Sequence, residues 1–537
     1  MLATALAERT ISHTDSASLT YDTMEFDHAQ KMGVIDPAFR AFESNLRPRL
    51  TTRANSPTTE RSLTTAESQP PTMTVNTILI DIDSLRPDHI GAYGYGHKTT
   101  PRIDEFAEDA VRFQNAYVAN SPCLPSRAAL ISGRHGISNG VETHGPRGQQ
   151  IDFPANWPSN QWAGSWMSEL ETPEAWYTLP ELLFQHRIKT GGVSSFPRHT
   201  APWFHRQWHD FRYPQEPEEP DEKFQTVRGE NVTDLAIDLV DRYQEDEFFV
   251  YAQYWDPHGP YKRSDDEIEE FRGECTHPYP TEEQLADHVT WDKWRSASEM
   301  GIENRADLAE LVAAYDAEIR YADRHVGRLL DHLRDNGLYD DSLIILTADH
   351  GEEFGEHGLY REHWSTHDGT QRVPLLLKPP SSVSTESGER SQLVTNVDIA
   401  ATVADYTEIS RPEKWQGSSL RPIVEDEAQS GREYLVFDHG LYTAQRAVRT
   451  GQWKYIRTYH SGMWEETTPE EQLFDMESDP WEQDNVVEDH PEVGNDLSDQ
   501  LEAWTERYVG DADPLKEICD PGPAGYLWAK TTNNRWR

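Results

Sequence analysis

The stretch TVNTILIDID, residues 74–83, is a short apolar run that ends in Asp81 and Asp83. An apolar run of this length, bounded by turn-forming residues, is typical of a buried strand in a parallel sheet. Helical and strand-like patterns then alternate: a helix near 178–187, a strand at 191–195, a helix at 231–243, a strand at 248–255, a helix at 304–335 and a strand at 342–349. This alternation predicts an α/β fold with a large, mostly parallel (mixed) central sheet flanked by helices.

The segment TPRIDEFAEDAVRF (100–113) predicts an amphipathic helix directly after the first strand. Thr100 stands at the N-cap position and Pro101 at the first helical position, where both residue types are common. Ile103 and Val111 belong to one apolar face at helical spacing. The segment is therefore predicted to be helical through Val111.

The pattern changes after about residue 430. The stretches REYLVFDHG, RAVRTGQWKYIRTY and QLFDM are typical of short strands joined by turns, and a helix is predicted near 492–508. These elements predict a smaller C-terminal subdomain with an antiparallel sheet.

The composition shifts divide the chain into four predicted segments. Residues 1–72 are rich in Ser, Thr and Ala and are expected to be a disordered extension. Residues 73–430 form the predicted α/β domain, 431–515 the antiparallel subdomain, and 516–537 a tail. Because ordered patterning begins at Met73, the sequence leaves open whether Met1 or Met73 is the true start.

The charge of the chain is strongly acidic and evenly spread. There are 94 acidic and 49 basic residues, which gives a formal net charge of −45. Acidic residues interleaved with apolar periodicity indicate a folded protein whose acidic surface is tolerated when salt screens it. We therefore expect a halophilic host, and we expect no nucleic-acid partner because no basic stripe is present.

The cysteines and the apolar runs indicate an intracellular protein. Cys123, Cys275 and Cys519 are odd in number and far apart, which argues against a disulfide framework. No apolar run reaches 18 residues, so no membrane span is predicted. The start lacks the features of a signal peptide, and we expect a cytoplasmic location.

Acidic and imidazole side chains follow three separate predicted strands. The first strand leads into Asp83, another into Asp256 and His258, and a third into Asp349 and His350. A single aspartate after a strand is usually a cap or turn residue. Three such ends at one sheet edge, together with a cysteine framed by prolines, favour a metal site instead.

That cysteine, Cys123, lies in SPCLPSRAALISG (121–133), which resembles the sulfatase signature C-x-P-S-R-x-x-x-L-x-G. Resemblance to the sulfatase family extends from about 75 to 510. It includes the blocks DIDSLRPDHIGAYGYGHKTTPRIDEFAEDAVRFQNAYV, YWDPHGPY, TADHGEEFGEHGLY, QRVPLLLKPP, VTNVDIAATVADY, RAVRTGQWKYIR and QLFDMESDPWEQDNV. The resemblance implies an alkaline-phosphatase-like fold. Together with the acidic charge, it predicts a haloarchaeal-type member of the family.

In this family the signature cysteine is oxidised to Cα-formylglycine, and the resemblance implies the same for Cys123. A hydroxyl of the hydrated aldehyde attacks sulfur and expels the alcohol, and the second hydroxyl then ejects sulfate. The implied partner is a formylglycine-generating or an anaerobic sulfatase-maturating enzyme. Arg127 is implied to anchor the diol or a metal carboxylate. The structural alternative is that Cys123 is only a small buried apolar residue.

The resemblance also implies one divalent metal, usually Ca²⁺, with Mg²⁺ or Mn²⁺ as alternatives. The implied ligands are Asp83, Asp349, His350 and the modified Cys123, and Asp81 is the next candidate. Many relatives have a second acid where Ser84 stands and asparagine where His350 stands. Both departures resemble the phosphonate and phosphodiester hydrolase branch, and a nitrogen ligand is softer than calcium prefers.

Histidines are the candidates for substrate contact. His258 matches a family histidine implied to protonate the leaving alcohol, although a histidine after Asp-Pro can also be a turn residue. Family lysines are missing after the 191–195 strand and before QRVP. Arg198 or His199 is a candidate replacement at the first place, and His363 or His367 at the second.

Taken together, the residues and the resemblance predict a metal-dependent sulfuric ester hydrolase, arylsulfatase-like, that acts on a sulfated small molecule or glycan. One alternative keeps the fold but changes the ester, to a phosphonate monoester or phosphodiester. The other is a catalytically silent relative that binds sulfated ligands with Cys123 unmodified.

Overall fold

The computed structural model describes residues 75–145, 173–196, 201–206, 208–215, 228–291, 294–426, 428–464, 468–510 and 512–532. All of them belong to one compact unit, Met73–Arg537. The strands are β1 (Asn76–Ile82), β2 (Val111–Tyr117), β3 (Asn120–Ser121), β4 (Lys189–Val193), β5 (Asp210–Arg212), β6 (Phe248–Tyr254), β7 (Ser342–Thr347), β8 (Glu353–Phe354), β9 (Tyr360–Glu362), β10 (Leu375–Lys378), β11 (Gly388–Thr395), β12 (Tyr434–His439), β13 (Ala444–Thr450), β14 (Trp453–His460) and β15 (Glu471–Asp475).

Helices lie between most of these strands, as the alternating pattern predicts. They are α1 (Pro101–Glu108), α2 (Cys123–Ser132), α3 (Gly136–Asn139), α4 (Leu179–Gln185), α5 (Gly229–Tyr243), α6 (Asp265–Glu269), α7 (Glu282–His288), α8 (Ala297–Met300), α9 (Arg305–Asp335), α10 (Asp368–Gln371), α11 (Val397–Tyr406), α12 (Arg421–Glu425), α13 (Pro491–Tyr508), α14 (Pro514–Glu517) and α15 (Ala524–Thr532). None of the helices in the described ranges is both long and apolar enough to span a membrane.

The central sheet has eight strands in the order β11-β2-β10-β7-β1-β6-β4-β5. The pairings β1–β6, β1–β7, β4–β6, β4–β5 and β2–β11 are parallel, whereas β10 is antiparallel to both of its neighbours. The predicted α/β fold with a mostly parallel, mixed sheet is therefore confirmed. Its middle strand β1 is buried from Thr77 to Ile82, as the continuous apolar run requires.

The register of β1 explains why the predicted site residues come together. Asp81 lies opposite Gln253 of β6 and Thr347 of β7. Because these neighbours run parallel to β1, the residues that follow all three strands emerge at the same sheet edge. Asp83, His258 and Asp349 follow these strands.

The prediction of one helix from Thr100 to Val111 is wrong. Helix α1 ends at Glu108, and Val111 begins β2. Val111 and Phe113 are buried, whereas Arg112 and Gln114 are only partly buried, and this period of two is the pattern of a strand. Thr100 does precede α1, but its hydroxyl accepts the N–H of Gly91 and makes no cap bond within the helix.

The smaller sheet has the order β15-β14-β13-β12-β3, and β12 to β15 are antiparallel, as predicted. Its fifth strand, β3, comes from the part of the chain directly before Cys123 and pairs in parallel with β12. Asp438 N–H also donates to the Ala119 carbonyl oxygen at 3.0 Å. The C-terminal sheet therefore supports the backbone that leads into the signature, a link that the predicted boundary at 430 does not express.

Candidate active site

The predicted metal ligands lie together at the carboxyl edge of the central sheet. Cys123, Asp83, Asp349 and His350 each offer a ligand atom within 4.8 Å of the others, and all four residues are buried. Asp83 follows β1, Asp349 and His350 follow β7, and Cys123 begins α2. Three distant parts of the chain thus meet at one point.

Arg127, one turn into α2, forms ion pairs with three carboxylates next to this point. Its Nε lies 2.9 Å from Asp81 Oδ2, and its two terminal nitrogens lie 2.6 Å from Asp349 Oδ2 and 3.1 Å from Asp83 Oδ2. The side chain is 1% exposed and its guanidinium lies 4.6 Å from the centre of the Phe196 ring. Arg127 therefore holds the carboxylates rather than facing solvent.

The charges of this group do not balance. Three buried carboxylates face one guanidinium, so two negative charges are left without a counter-charge in this set of ion pairs. Asp83 Oδ2 and Asp81 Oδ1 are buried and receive no hydrogen bond in the structure. Burial raises the pKa of the Asp349 carboxyl well above its usual range against the effect of Arg127, and Asp83 and Asp81 raise it further. Such a surplus of oxygen ligands and negative charge fits a divalent cation.

His350 directs an unprotonated nitrogen at the same point. Its Nδ1 lies 2.7 Å from the Gly351 carbonyl oxygen, which can only accept, so Nδ1 carries the proton. Its Nε2 then presents a lone pair, which lies 3.1 Å from Cys123 Sγ and 3.4 Å from Asp349 Oδ2. Burial lowers the pKa of His350 well below its usual range, and the neighbouring His363 lowers it further. A neutral imidazole with this tautomer is suited to metal ligation.

The surroundings of Cys123 disfavour the thiolate form. Burial raises its pKa well above the usual range, and the carboxylates of Asp83 and Asp349 raise it further against the effect of Arg127. Reactive thiolates sit in electropositive, partly exposed surroundings, which is the opposite arrangement. The surroundings of Cys123 are therefore not those of a cysteine that acts as a thiolate nucleophile.

Ser84 orients two of the predicted ligands. Its hydroxyl lies 3.1 Å from Asp83 Oδ1, and its N–H donates to Asp349 Oδ1 at 3.2 Å. Its backbone is left-handed, with φ at 61°, and Tyr315 of α9 donates its hydroxyl to the Ser84 carbonyl oxygen at 2.6 Å. The residue that stands where many relatives have an acid thus acts through hydrogen bonds.

The predicted substrate-contact histidines fall in different places. His363 packs against His350 with ring centres 4.1 Å apart and the ring planes tilted by 39°, and with Cys123 and His350 it forms a second group of ligand atoms within 4.8 Å. Burial lowers the pKa of His363, but Glu352 and Glu362 outweigh that effect and raise it overall. His258 is partly buried, donates Nδ1–H to the Gly259 carbonyl oxygen at 2.7 Å, and lies 5.8 Å from the His363 ring centre.

His367 is engaged elsewhere. Its ring nitrogens lie 2.7 Å from Ser365 Oγ and 3.3 Å from Gln472 Oε1, and its ring stacks on His357 at 3.7 Å. It lines a cavity of about 280 Å³ together with His288 and other residues. Arg198 and His199 lie outside the described residues.

Sequence reasoning missed part of the support of the site. It ranked Asp81 as a second candidate ligand, but in the structure Asp81 Oδ2 accepts from Arg127 and, at 2.5 Å, from the Tyr251 hydroxyl. Tyr251 and Tyr315 had no motif to mark them, since both lie on apolar faces of a strand and a helix. Gln253 of β6 lies opposite Asp81, and Tyr251 is two residues before it. Because side chains alternate along a strand, this spacing is the one indication that Tyr251 shares a sheet face with Asp81.

The sequence is similar to that of known sulfatases. The family model described as Sulfatase matches residues 75–409, and the model described as N-sulphoglucosamine sulphohydrolase, C-terminal, matches residues 355–507. An arylsulfatase of Clostridium perfringens is 25% identical over 473 residues, which cover 77% of this chain and 90% of that protein. An N-acetylglucosamine-6-O-sulfatase of Bacteroides thetaiotaomicron is 24% identical over 514 residues, which cover 82% and 87%.

Solved structures share the fold. One protein, solved in complex with its substrate D-glucosamine-2-N,6-O-disulfate, has a TM-score of 0.62 and 19% identity, covering 82% of this chain and 99% of its own. The phosphonate monoester hydrolase of Agrobacterium radiobacter has a TM-score of 0.61 and 18% identity, covering 81% and 96%. The fold is thus alkaline-phosphatase-like, as predicted, and it is shared by hydrolases of sulfur and phosphorus esters. The Sulfatase model spans more than half of the chain, and the relatives named above are sulfatases. The chain therefore belongs to the sulfatase family and is a sulfuric ester hydrolase.

Proposed function

We propose that the chain hydrolyses sulfate esters through a Cα-formylglycine made from Cys123, beside a divalent metal held by Asp83, Asp349 and His350. The observation that carries this proposal is the cluster itself, in which Cys123 Sγ lies 3.1 Å from His350 Nε2 and close to both carboxylates. A hydrated aldehyde at this position supplies a nucleophilic oxygen, which the neutral, buried thiol does not. A divalent cation, when bound, polarises the sulfate oxygens.

The roles of the other residues follow from their contacts. Arg127 fixes the directions of Asp83 and Asp349, so that both carboxylates point toward residue 123. His258 donates its Nδ1–H to the Gly259 carbonyl oxygen, so that Nε2, in the protonated imidazolium, is the atom that delivers a proton to the leaving alcohol. His363 is the stronger candidate for sulfate contact, because it packs on His350, whereas His367 and His199 are kept as weaker candidates.

We propose Ca²⁺ as the metal, with Mg²⁺ and Mn²⁺ as alternatives. Two carboxylates and the oxygen of a hydrated aldehyde are hard ligands of the kind that calcium prefers. The nitrogen of His350 is the one softer ligand, and it favours Mn²⁺ over calcium more than an amide oxygen would.

The substrate class is a sulfated glycan or sulfated small molecule. This proposal rests on the relatives, which include an N-acetylglucosamine-6-O-sulfatase and a neighbour in complex with disulfated glucosamine. The chain itself is proposed to be matured by a formylglycine-generating or anaerobic sulfatase-maturating enzyme. Its acidic charge of −45 supports a haloarchaeal-type protein of a high-salt cytoplasm. The predicted boundaries at 72, 430 and 515 are kept as proposals.

The test compares hydrolysis of an aryl sulfate by matched cysteine variants. Cys123→Ala is expected to lose turnover and to keep its circular dichroism spectrum, because a buried alanine fits the space of a small thiol. Cys275→Ala, which removes a cysteine outside the cluster, serves as the control and is expected to keep turnover. Turnover by Cys123→Ala at the wild-type rate would contradict the proposal.

A phosphonate monoester or phosphodiester hydrolase is the second candidate. Ser84 and His350 favour it, since both depart from the common sulfatase pattern, and phosphonate monoester hydrolases are among the fold neighbours. One leaving group presented as aryl sulfate, phosphonate monoester and phosphodiester separates the two. The larger kcat/KM decides which ester the site prefers. A catalytically silent binder would hydrolyse none of them.

A further inference from the structure

A second group of titratable side chains shares no residue with the cluster around Cys123. His89, His277 and Asp88 each offer a ligand atom within 4.8 Å of the others. His89 is fully buried and His277 is 3% exposed, while Asp88 is partly exposed at the edge. The group brings together the short helical turn Pro87–His89 and the loop that holds His277.

The two imidazole rings face each other through their Nε2 atoms. His89 Nδ1 lies 2.6 Å from Asp316 Oδ1 of α9, and His277 Nδ1 lies 3.3 Å from Glu356 Oε1. The two Nε2 atoms are 2.8 Å apart. Each ring thus has a carboxylate behind it and the other ring in front of it.

Two neutral imidazole rings carry two N–H protons, but this arrangement has three places for one: each Nδ1 and the contact between the two Nε2 atoms. A carboxylate can only accept, so a proton on His89 Nδ1 satisfies Asp316, whereas the 3.3 Å contact of His277 Nδ1 with Glu356 lacks hydrogen-bond geometry. Two neutral rings with protons at Nδ1 then point two lone pairs at each other. Moving the proton of His277 to Nε2 relieves that contact but turns a lone pair toward the Glu356 carboxylate instead. The 2.8 Å contact between the two Nε2 atoms and the carboxylate beside each Nδ1 therefore favour a cation between the rings, which is either an extra proton or a metal ion.

The surrounding charges favour the metal ion. Asp88, Asp316 and Glu356 are three carboxylates, and Arg86 is the guanidinium that pairs with Asp88 and Glu356. Two negative charges remain. His97 lies 3.4 Å from Asp316 Oδ2, but 33% of its side chain is exposed, so solvent screens the positive charge that it could add. A shared proton offsets one of the two charges, whereas a divalent cation offsets both.

We propose that His89, His277 and Asp88 bind a Zn²⁺ ion. Two imidazole nitrogens and one carboxylate oxygen are typical zinc ligands and are too rich in nitrogen for Ca²⁺. Zinc-binding histidines usually donate the other ring N–H to a carboxylate, which is the place of Asp316 and Glu356 here. With Zn–N distances of about 2.0–2.1 Å, tetrahedral binding moves the two Nε2 atoms apart by roughly half an ångström.

The remaining position on the metal is open to water. Asp88 and Glu356 line a cavity of about 130 Å³, whose wall also includes Trp481. The ion would join the turn at 87–89 to the loop of His277, backed by α9 and by the β8 region. Tyr315, which orients Ser84 at the candidate active site, packs edge-on against the His89 ring at 4.8 Å. The proposed ion therefore has a structural role beside the active site.

The test counts zinc in chains that differ at one site at a time. His350→Ala removes a member of both ligand groups around Cys123, so zinc that remains bound is attributed to the second group. The protein is stripped with a chelator at pH 8 in molar KCl, titrated with Zn²⁺, desalted and measured by elemental mass spectrometry. We expect one zinc per chain in His350→Ala and none in His350→Ala/His277→Gln.

A matched control replaces His135, a buried histidine that packs on Trp504 outside the group. His350→Ala/His135→Gln is expected to keep its zinc. If His277→Gln does not fold, Asp88→Asn changes a partly exposed ligand and is expected to weaken zinc binding at least tenfold. Substitution of Co²⁺ into His350→Ala is expected to give visible absorption bands that His350→Ala/His277→Gln lacks. A His350→Ala chain without zinc, or with zinc that survives both His277→Gln and Asp88→Asn, would overturn the proposal.

Discussion

The replacement of Arg127 by methionine tests how the candidate active site is held together. Arg127 is buried and pairs with three carboxylates at 2.6–3.1 Å. Methionine fills much of the same space but removes the charge. Removing one partner of a buried ion pair costs roughly 3–5 kcal/mol, because the remaining charge stays buried without compensation. We expect Arg127→Met to lose about that much of its free energy of unfolding.

A comparison of kcat/KM between Arg127→Met and Arg446→Met separates the role of Arg127 at the site from the general cost of losing a buried arginine. Arg446, 0% exposed, pairs with Asp438 and Asp513 in the C-terminal sheet. Arg446→Met is expected to cost a similar free energy of unfolding and to change kcat/KM of the folded protein little. Arg127→Met is expected to lower kcat/KM by about 10–100-fold, the usual cost of losing a group that orients metal ligands.

A double variant tests the charge argument itself. Asp81 accepts from Arg127 but is not among the proposed metal ligands, so Asp81→Asn in the Arg127→Met chain removes one of the uncompensated charges. It is expected to recover about 1–3 kcal/mol of the loss. Urea midpoints at fixed molar KCl measure both effects. If Arg127→Met keeps wild-type activity, or if Asp81→Asn destabilises it further, the account of the buried charges is wrong.

Three further predictions concern the surface, a buried carboxyl and the leaving group. Thermal midpoints are expected to rise steeply as KCl increases to molar concentrations, because salt screens the repulsion within a chain of net charge −45, and midpoints that do not move would contradict this. Burial raises the pKa of Asp323 to about 7, although its carboxyl accepts the N–H groups of Arg102 and Ile103. Since the folded-state pKa lies above the unfolded value, the stability associated with this proton is present at low pH and is lost as pH rises through about 7. Asp323→Asn should therefore stabilise the protein at pH 8, by on the order of 2 kcal/mol, and by much less at pH 5, whereas an equal effect at both pH values would refute the reasoning. His258→Ala is expected to keep metal content and to slow esters of poorly acidic alcohols far more than esters of acidic phenols, and an equal loss for both would remove its proposed role.

The main features of the fold could be predicted because they rest on local patterns. The apolar run at 76–82 becomes the buried middle strand, and the residues after β1 and β7 meet because parallel neighbours end at one edge. The helix through Val111 failed because the apolar spacing from 101 to 113 fits a helix until the chain turns at 109–110. Only the period of two from Val111 marks the change to β2.

The support of the candidate site could not be predicted, since it depends on contacts between distant residues without a motif. Tyr251 reaches Asp81 from the neighbouring strand, and Tyr315 reaches Ser84 from a helix that lies 231 residues further along the chain. The His89–His277 pair, 188 residues apart in sequence, is of the same kind. A single sequence shows which residues end its strands, but it does not show which side chains pack behind them.

The most direct test of the central claim is the chemical state of residue 123 in active protein. Tryptic digestion of protein purified from its native host releases the peptide 113–127, FQNAYVANSPCLPSR, which contains this residue. Mass spectrometry is expected to find a peptide without sulfur that carries an aldehyde, in a fraction that rises and falls with aryl sulfatase activity between preparations. A peptide with an intact cysteine thiol in every molecule of a preparation that hydrolyses sulfate esters would contradict the account.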